Sequence, residues 1–389
     1  MGSVSMANSL KGMRSSRNSL SAPAAPNVAV LAVVLGLVVL GLVMIYSASY
    51  ARAYEQSGDS NYYLKRQLFA AMLGFPLLLV CARLDYRRWM TVDGLFLAMC
   101  VALLIATLIP GVAVGYLWMR LGPFNFQPTE FLKLALIVYL AASLTRRQER
   151  VRDFSQGLWP HLTVMGAITL LTIKQPDFGM AMMFVSITYC LLFVGGAALK
   201  HLGATLLAAM PPLALLMVAA PYRLARLFSF LDPFADAQQG GYQIIQSLVS
   251  LGSGGLWGRG LGAGVEKLGY LPAAHTDFIF SVLGEELGLW GTGLVLAGFV
   301  CLGWLGVRVA LNAPDRFGML LAAGVTFSLC FQAFLNLGVA VGALPVTGLT
   351  LPFVSYGGSS LLVSLAMVGV LLSVSRGSGH DQRAGLRRR

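Results

Sequence analysis

The chain has 389 residues, of which 57% are hydrophobic and only 11% are charged, and its formal net charge is +12. This composition excludes a soluble globular protein of this size and indicates an all-α polytopic membrane protein. The positive charge does not indicate nucleic-acid binding, because most Lys and Arg residues lie in the turns after alternate apolar segments and at the two chain ends. By the positive-inside rule those turns and both termini are cytoplasmic.

About ten apolar segments are long enough to cross a bilayer as helices, which takes about 20 residues each. They begin near Val28, Gln67, Trp89, Glu130, Leu158, Gly179, Leu202, Phe278, Phe317 and Gly357. We predict a disordered cytoplasmic extension over residues 1–27, a membrane domain over 28–375 and a basic cytoplasmic tail over 376–389. The five cysteines lie in or beside these spans and are interpreted as packing residues, with neither disulfide nor metal-ligand spacing.

The segment between the third and fourth spans is rich in Gly, Pro and Asn, which predicts irregular backbone on the outer side. It carries Trp118, and the following helix carries Glu130 and Lys133 three residues apart on one face. The two charges form either a salt bridge that makes their burial tolerable or the lining of a polar cavity that contacts substrate. The spacing favours neither interpretation.

A second outer turn, KQPDFG at residues 174–179, joins the fifth and sixth spans. Pro176 and Gly179 account for the turn. Lys174 and Asp177 are predicted to lie next to each other at the membrane interface, and their charges need a further reason.

The longest outer connection, residues 220–277, lies between the seventh and eighth spans and is predicted to be non-helical. A connection of this length is seldom a plain linker. Its Gly-rich centre, SLVSLGSGGLWGRGLGAG, has the composition of a segment that lies in the interface or re-enters the membrane against other helices. No Gly-Lys-Ser/Thr follows, which argues against a nucleotide-binding loop.

The stretch LGYLPAAHTDFIFSVLGEEL at residues 268–287 closes this loop with His275 and Asp277 and then enters an apolar helix that carries Glu285 and Glu286. Acids in a membrane helix are costly to place, so a functional role is the first hypothesis. At least one glutamate is expected to face the bundle interior and pair with a cation or backbone groups, as cavity lining or as support. As the only outer histidine, His275 cannot form a metal site by itself.

The last span is preceded by FVSYGGSS, which contains Ser355, Gly357 and Gly358. Small residues at a helix start allow close packing, and they also expose amide groups that could hold an anion. Packing is the favoured interpretation.

Six stretches together resemble the SEDS family of polytopic membrane proteins, which includes FtsW of cell division and RodA of cell elongation. They are LGPFNFQPTEFLKL (121–134), KQPDFG (174–179), YRLARLFSFLDPF (222–234), GYQIIQSLVSLGSGGLWGRGLG (241–262), YLPAAHTDFIFSVLGEELG (270–288) and GLTLPFVSYGGSS (348–360). The FtsW branch is more similar, although PVTG at 345–348 is closer to RodA. The chain departs from the family pattern at Leu117, Met180 and Ala340, where Arg, Thr and Asn are usual.

This resemblance implies a peptidoglycan glycosyltransferase that polymerises lipid II into glycan strands at the outer face of the cytoplasmic membrane, at the division septum. It implies Asp277 as the catalytic acid. It also implies a partner, a monofunctional transpeptidase of the penicillin-binding class, together with other membrane proteins of the division machinery.

Joining sugars in this way requires a carboxylate that takes a proton from the attacking hydroxyl and cations that stabilise the leaving pyrophosphate. Asp277 is the candidate base, with helix capping as its alternative role. The candidate cations are Lys133, Lys174, Arg223, Arg226 and Arg259. The other candidate substrate-binding residues are Trp118, Glu130, Asp177, His275, Glu286, Ser355, Gly357 and Gly358.

No cofactor is assigned, and a divalent cation (Mg²⁺ or Mn²⁺) that bridges pyrophosphate and carboxylates stays open. Two other functions also stay open. A lipid II flippase fits ten spans with buried charges, but the polar groups gather at the outer face and show no clear internal repeat. A scaffold for the transpeptidase fits the cytoplasmic extension but leaves Asp277, Glu130 and Lys133 unexplained.

Overall fold

The structure of the protein, a computed structural model, describes residues 26–121, 124–218, 229–235, 237–238 and 241–387. The predicted extension therefore lies almost entirely outside the described residues. The helices of the described part are α1 Pro26–Ser57, α2 Tyr62–Arg83, α3 Trp89–Thr107, α4 Pro128–Arg146, α5 Trp159–Lys174, α6 Phe178–Val194, α7 Leu199–Val218, α8 Tyr242–Gly254, α9 Ile279–Leu311, α10 Arg316–Ala340 and α11 Gly358–Arg387.

Each of the ten predicted spans corresponds to one helix, and each predicted start lies within five residues of the observed one. Seven of these helices are long and apolar enough to cross a membrane by length and composition. The remaining three are α5, α6 and α7, with 16, 17 and 20 residues. All five cysteines are free, as predicted.

The structure differs from the prediction in three places. The segment before α4 is not irregular but forms an antiparallel sheet of β1 Ala113–Val114, β2 Trp118–Leu121 and β3 Phe124–Phe126. The long outer connection is not wholly non-helical, since α8 occupies residues 242–254, where apolar residues recur at helical spacing. The last helix continues to Arg387, into the predicted tail.

Helices α4 and α11 lie at the centre of the bundle and are buried nearly all round. Glycines let α2 approach α11 closely, because an added Cβ at Gly369 would collide with the carbonyl of Leu78 and one at Gly74 would meet Leu365. The turns predicted to be cytoplasmic gather at one end of the bundle, where Tyr86 donates to Asp315 (2.7 Å). The turns predicted to lie outside gather at the opposite end, which holds the site described next.

Candidate active site

A groove of about 640 Å³ opens at this opposite end of the bundle. Its walls come from the start of α2, the edge of the small sheet, the turn between α5 and α6, the turn before α9 and the segment that leads into α11. The lining is polar at the centre and apolar on the α2 side. We call it the Asp277 groove, and its central residues are Arg66, Trp118, Gln127, Glu130, Asp177, Thr276, Asp277, Thr350, Tyr356, Gly357 and Gly358.

Asp277 is half-buried and faces this groove. It ends a turn in which the amides of Thr276 and Phe278 both donate to the carbonyl of Ala273 (3.1 and 3.3 Å), with Ala273 in the left-handed region at φ 54°. Helix α9 begins only at Ile279, with Phe278 at the cap position. Asp277 therefore lies one residue before the cap position of α9 and is not itself its N-cap residue.

The turn that carries Asp277 is bonded to the segment before α11. Ser355 Oγ donates to the carbonyl of Thr276 (2.5 Å), and the amide of Tyr356 donates to the carbonyl of His275 (3.0 Å). Ser355 itself does not line the groove. Its placement is that of a support for the turn, although it was predicted to bind substrate.

Glu130 and Lys133 form the predicted ion pair, with 2.7 Å between Oε2 and Nζ. Both side chains are buried, and Glu130 lines the groove while Lys133 lies beneath it. Lys133 Nζ also donates to Gln332 Oε1 on α10 (2.5 Å). The two interpretations left open by the sequence are thus compatible, because one partner of the salt bridge faces the cavity.

Asp177 lines the groove and caps α6, where its Oδ1 accepts from the amide of Met180 (3.0 Å). Burial, with a smaller contribution from the nearby carboxylates of Glu130 and Asp277, raises the pKa of Asp177 to about 6. The carboxylates therefore interact electrostatically across the groove. Perturbed acids of this kind in a cleft are typical of functional sites.

His275 is buried between the rings of Tyr63 and Tyr356, with ring centroids 4.5 and 5.8 Å away. Burial, reinforced by the positive charge of Arg52, lowers the pKa of His275 to about 4. The imidazole is consequently neutral at physiological pH and lies outside the groove lining. The structure does not place it where it could bind substrate phosphate as a cation.

Glu286 is also not part of the groove. Its carboxylate is fully buried and forms an ion pair with Lys267 (2.5 Å), and Ser47 Oγ on α1 donates to it (2.7 Å). Glu285 is fully buried as well and pairs with Arg259 (3.1 Å). This confirms the prediction that at least one glutamate faces the interior and pairs with a cation.

Both glutamates hold the loop between α8 and α9. Backbone amides of this loop donate to their carboxylates from Gly262 (3.0 Å), Val265 (2.8 Å) and Glu266 (3.3 Å). Gly288 breaks α9 at φ 64°, and the carbonyls of Glu285 and Glu286 accept from the amides of Arg259 (2.9 Å) and Gly260 (3.0 Å). We call Glu285, Glu286, Lys267 and Arg259 the loop anchor.

The predicted cations are largely not brought to the groove. Lys174 is exposed, lies outside the lining and forms no ion pair with Asp177 among the described residues. Arg259 belongs to the loop anchor. Arg223 and Arg226 lie outside the described residues.

Sequence reasoning missed Arg66, the one Lys or Arg side chain among the described residues that line the groove. It lies at the start of α2 beside Tyr62, with its guanidinium carbon 4.7 Å from the ring centroid. The sequence did contain a signal for it, because Arg66 lies on the outer side of a span, whereas the positive-inside rule places most arginines on the cytoplasmic side. Asn336 and Gln332, polar residues four apart within the span α10, gave a similar unused signal.

Gly357 and Gly358 line the groove at the start of α11. An added Cβ at either position would make ordinary contacts, at 3.4 Å or more, so packing does not require glycine there. Two of the departures from the family pattern, Leu117 and Met180, also line the groove and make it less polar. The third, Ala340, is buried, and its carbonyl accepts from Ser247 on α8 (2.7 Å).

Comparison with known proteins identifies the family to which the chain is similar. The model of the "Cell cycle protein" family that covers FtsW, RodA and SpoVE matches residues 28–380. A probable peptidoglycan glycosyltransferase FtsW from Geobacter sulfurreducens is 44% identical over 350 residues, which cover 89% of this chain and 94% of that protein. Stage V sporulation protein E from Bacillus subtilis is 41% identical over 355 residues, which cover 90% and 97%.

Two solved structures also superpose on this chain. A chain from a peptidoglycan synthase complex, described as coordinating polymerization and crosslinking, superposes with a TM-score of 0.74 at 33% identity, covering 89% of this chain and 96% of that chain. The rod shape determining protein RodA from Thermus thermophilus superposes with a TM-score of 0.63 at 31% identity, covering 89% and 95%.

Proposed function

Since the chain belongs to the FtsW/RodA/SpoVE (SEDS) family, we propose that the Asp277 groove is the place where it joins lipid-linked sugars. The chain is a multi-pass membrane protein and a peptidoglycan glycosyltransferase of the FtsW type, like its curated relatives. Its substrate is lipid II, which it polymerises into glycan strands during cell division.

The observation that carries this proposal is the position of Asp277 in an open groove with two kinds of wall. Its carboxylate shares the groove with Glu130 and Asp177, while Phe69 and Leu73 of α2 line the opposite side with apolar surface. Leu73 is also exposed on the outside of the bundle. A lipid-linked sugar needs a polar wall next to an apolar wall, because its head group is polar and its lipid tail remains in the hydrocarbon core of the membrane.

We assign Asp277 as the general base. It accepts the proton of the acceptor sugar hydroxyl as that oxygen attacks the anomeric carbon of the donor. The new glycosidic bond forms as the bond between that carbon and the pyrophosphate oxygen breaks, with inversion at the carbon. Pyrophosphate leaves with the bonding electron pair and needs no general acid, so one carboxylate suffices, unlike the pair used by glycosidases.

The leaving pyrophosphate requires positive charge nearby. Arg66 is the candidate from the groove lining, since a guanidinium fits phosphate oxygens in a bidentate manner. Among the described residues no group of three His, Cys, Asp or Glu side chains could hold a metal ion.

A flippase is the weaker proposal. Below the Glu130–Lys133 pair, α4 continues with Leu134, Ala135, Leu136, Ile137 and Val138, all of them buried and apolar. A polar head group that crossed the bundle along this stretch would meet only apolar side chains from α4.

We further propose that a monofunctional penicillin-binding transpeptidase is the partner, together with other membrane proteins of the division machinery at the septum of the cytoplasmic membrane. Support comes from the solved peptidoglycan synthase complex, which couples polymerization to crosslinking. A scaffolding role would coexist with catalysis, because a scaffold alone does not need the acids in the groove.

The test is lipid II polymerisation by the purified chain with its cognate transpeptidase. Asp277→Asn keeps the shape of the side chain and removes the base, so the rate is expected to fall by roughly 10²–10⁴-fold. Lys174→Gln, outside the groove, is the matched control and should keep the parent rate. Polymerisation by Asp277→Asn at the parent rate would contradict the assignment, and lipid II translocation in the same liposomes without polymerisation would favour the flippase.

A further inference from the structure

Asn336 is a buried amide near the outer end of a membrane helix, four residues before the last residue of α10, and both of its amide hydrogens are used outside that helix. On α10, its Nδ2 donates to the carbonyl of Asp277 (2.8 Å) and to the carbonyl of Leu349 (2.7 Å). The side chain is 1% exposed. A polar residue at such a position is costly to bury, so its use is worth explaining.

The two carbonyls belong to two different segments that line the Asp277 groove. Asp277 belongs to the turn before α9, and Leu349 belongs to the segment that leads into α11. One side chain thus connects the carboxylate-bearing turn to the neighbouring segment of the rim. A hydrogen bond to the carbonyl of Asp277 also restrains the backbone directly after its Cα, from which the carboxylate projects.

The same helix makes a second connection one turn earlier. Gln332 Nε2 donates to the carbonyl of Thr350 (2.9 Å), and Gln332 Oε1 accepts from Lys133. Asn336 and Gln332 are four residues apart and therefore share one face of α10. Through this face, α10 is bonded both to the backbone of Asp277 and to the cation that pairs with Glu130.

Thr326, a third polar residue of α10, behaves differently. Thr326 Oγ1 donates to the carbonyl of Ala322 (2.7 Å) within its own helix, which satisfies the hydroxyl locally. Asn336 Oδ1 has no hydrogen-bond partner, so the amide is used entirely as a double donor. A group that served only to fill space would not need two donors aimed at two loops.

We propose that Asn336 is a positioning residue that fixes the Asp277 carboxylate relative to the groove rim, an inference that rests on the proposed function. It does not contact the reacting atoms. Its effect follows from geometry, because a misplacement of about 1 Å in a catalytic group can lower a rate by about 10²-fold. Losing Asn336 should therefore lower kcat and leave the groove able to bind lipid II.

The experiment compares initial rates of lipid II polymerisation by the full chain with its cognate transpeptidase. The variants are Asn336→Asp, which keeps the shape but loses both amide donors, and Asn336→Leu, which removes polarity. Thr326→Val on the same helix is the control, since it removes one buried hydrogen bond far from Asp277. Asp277→Asn is run in parallel. Both Asn336 variants are expected to lose about 10- to 100-fold in kcat, with KM within about twofold of the parent.

The possible outcomes test the positioning role of Asn336 and the proposed function separately. A parent-like kcat in Asn336→Asp, or an equal loss in Thr326→Val, overturns the positioning role while the proposed function stands. A raised KM with unchanged kcat overturns it too, because Asn336 would then act on substrate binding. Should neither Asn336 variant fold, Ser355→Ala, which frees the carbonyl of Thr276 in the same turn, must show the same kcat loss. Parent activity in Asp277→Asn would overturn the proposed function itself.

Discussion

Asp277 of the groove and the two glutamates of the loop anchor lie within ten residues of each other along the chain, yet these acids serve different purposes. In the groove, Asp277 is half-buried at the edge of a cavity. In the anchor, Glu285 and Glu286 are sealed, and each accepts from a cationic side chain and from backbone amides. An acid in or next to a membrane helix therefore indicates a site only when open space lies beside it.

The loop anchor also supports the Asp277 groove. The anchor bonds the loop between α8 and α9 to α1 through Ser47 and to the kink at Gly288. That loop leads directly into the turn that carries Asp277. The anchor thus gives the groove a fixed wall, and changes in the two regions should separate into effects on stability and effects on rate.

The largest predicted effect on stability is that of Lys267→Met. Lys267 Nζ contacts Glu286 Oε1 (2.5 Å) and Ser47 Oγ (2.8 Å) in the interior, and it contacts the carbonyl of Gly262 (3.0 Å) in the loop. Removing the cation leaves a buried carboxylate without its counter-charge, which typically costs about 3–5 kcal/mol. Thermal unfolding in a fixed detergent should show a clear loss of stability, whereas Asp277→Asn should unfold near the parent temperature.

The double variant Lys267→Met/Glu286→Gln is the control for this prediction. It removes both charges, so it should recover a large part of the stability lost in the single variant. If Lys267→Met unfolds at the parent temperature, the anchor is not a source of stability and the contrast with the groove fails.

Local sequence signals were enough for the spans, whereas Asp277 was chosen as the base through the resemblance to the SEDS family. The ten apolar segments are visible because a bilayer demands about 20 apolar residues in succession, and Glu130 and Lys133 were paired because their spacing places them on one helix face. The partners of Glu286 could not be read in this way, since Ser47 lies 239 residues away. No local pattern distinguishes a glutamate that meets Lys267 from one that meets substrate.

Three further features were missed for similar reasons. Helix α8 was hidden by the glycines that follow it, although its own residues YQIIQSLVSL are helix-compatible. The small sheet was missed because strands of two to four residues are too short to show an alternating pattern. Arg66 was not chosen because its place in the groove depends on how α2 packs against α11 rather than on its neighbours in sequence.

A smaller effect, and one with a defined pH range, is predicted for Asp177→Asn. Folding raises the pKa of Asp177 from 3.8 to about 6, mainly through burial. Between these values the folded chain binds more protons than the unfolded chain, so the contribution of Asp177 to stability is lost as the pH rises through about 6. At about 1.4 kcal/mol per pKa unit, the loss is on the order of 3 kcal/mol.

Asp177→Asn should remove this decline, so that its stability changes less than that of the parent between pH 4 and pH 7. Unfolding temperatures measured across that range in one buffer series check the difference. Asp59→Asn is a useful control, because the ion pair with Lys65 lowers the pKa of Asp59 and gives the opposite sign. Parallel pH curves for the parent and Asp177→Asn would show that Asp177 is no more perturbed than a surface acid.

The smallest predicted effect is that of Arg259→Gln, and it tests how the anchor holds its two carboxylates. The Arg259 side chain is 43% exposed and reaches Glu285 at 3.1 Å, so its pair is worth about 0.2–1 kcal/mol and should weaken further in salt. Glu285 keeps the amide of Val265 (2.8 Å) when the guanidinium is removed. Arg259→Gln should therefore lower the unfolding temperature much less than Lys267→Met, with the surface variant Lys65→Gln as the reference for an exposed pair. Equal losses of unfolding temperature in Arg259→Gln and Lys267→Met would mean that the side-chain cation, rather than the loop amides, holds Glu285. Only in that case would the exposed guanidinium of Arg259 contribute as much stability as the buried ammonium of Lys267.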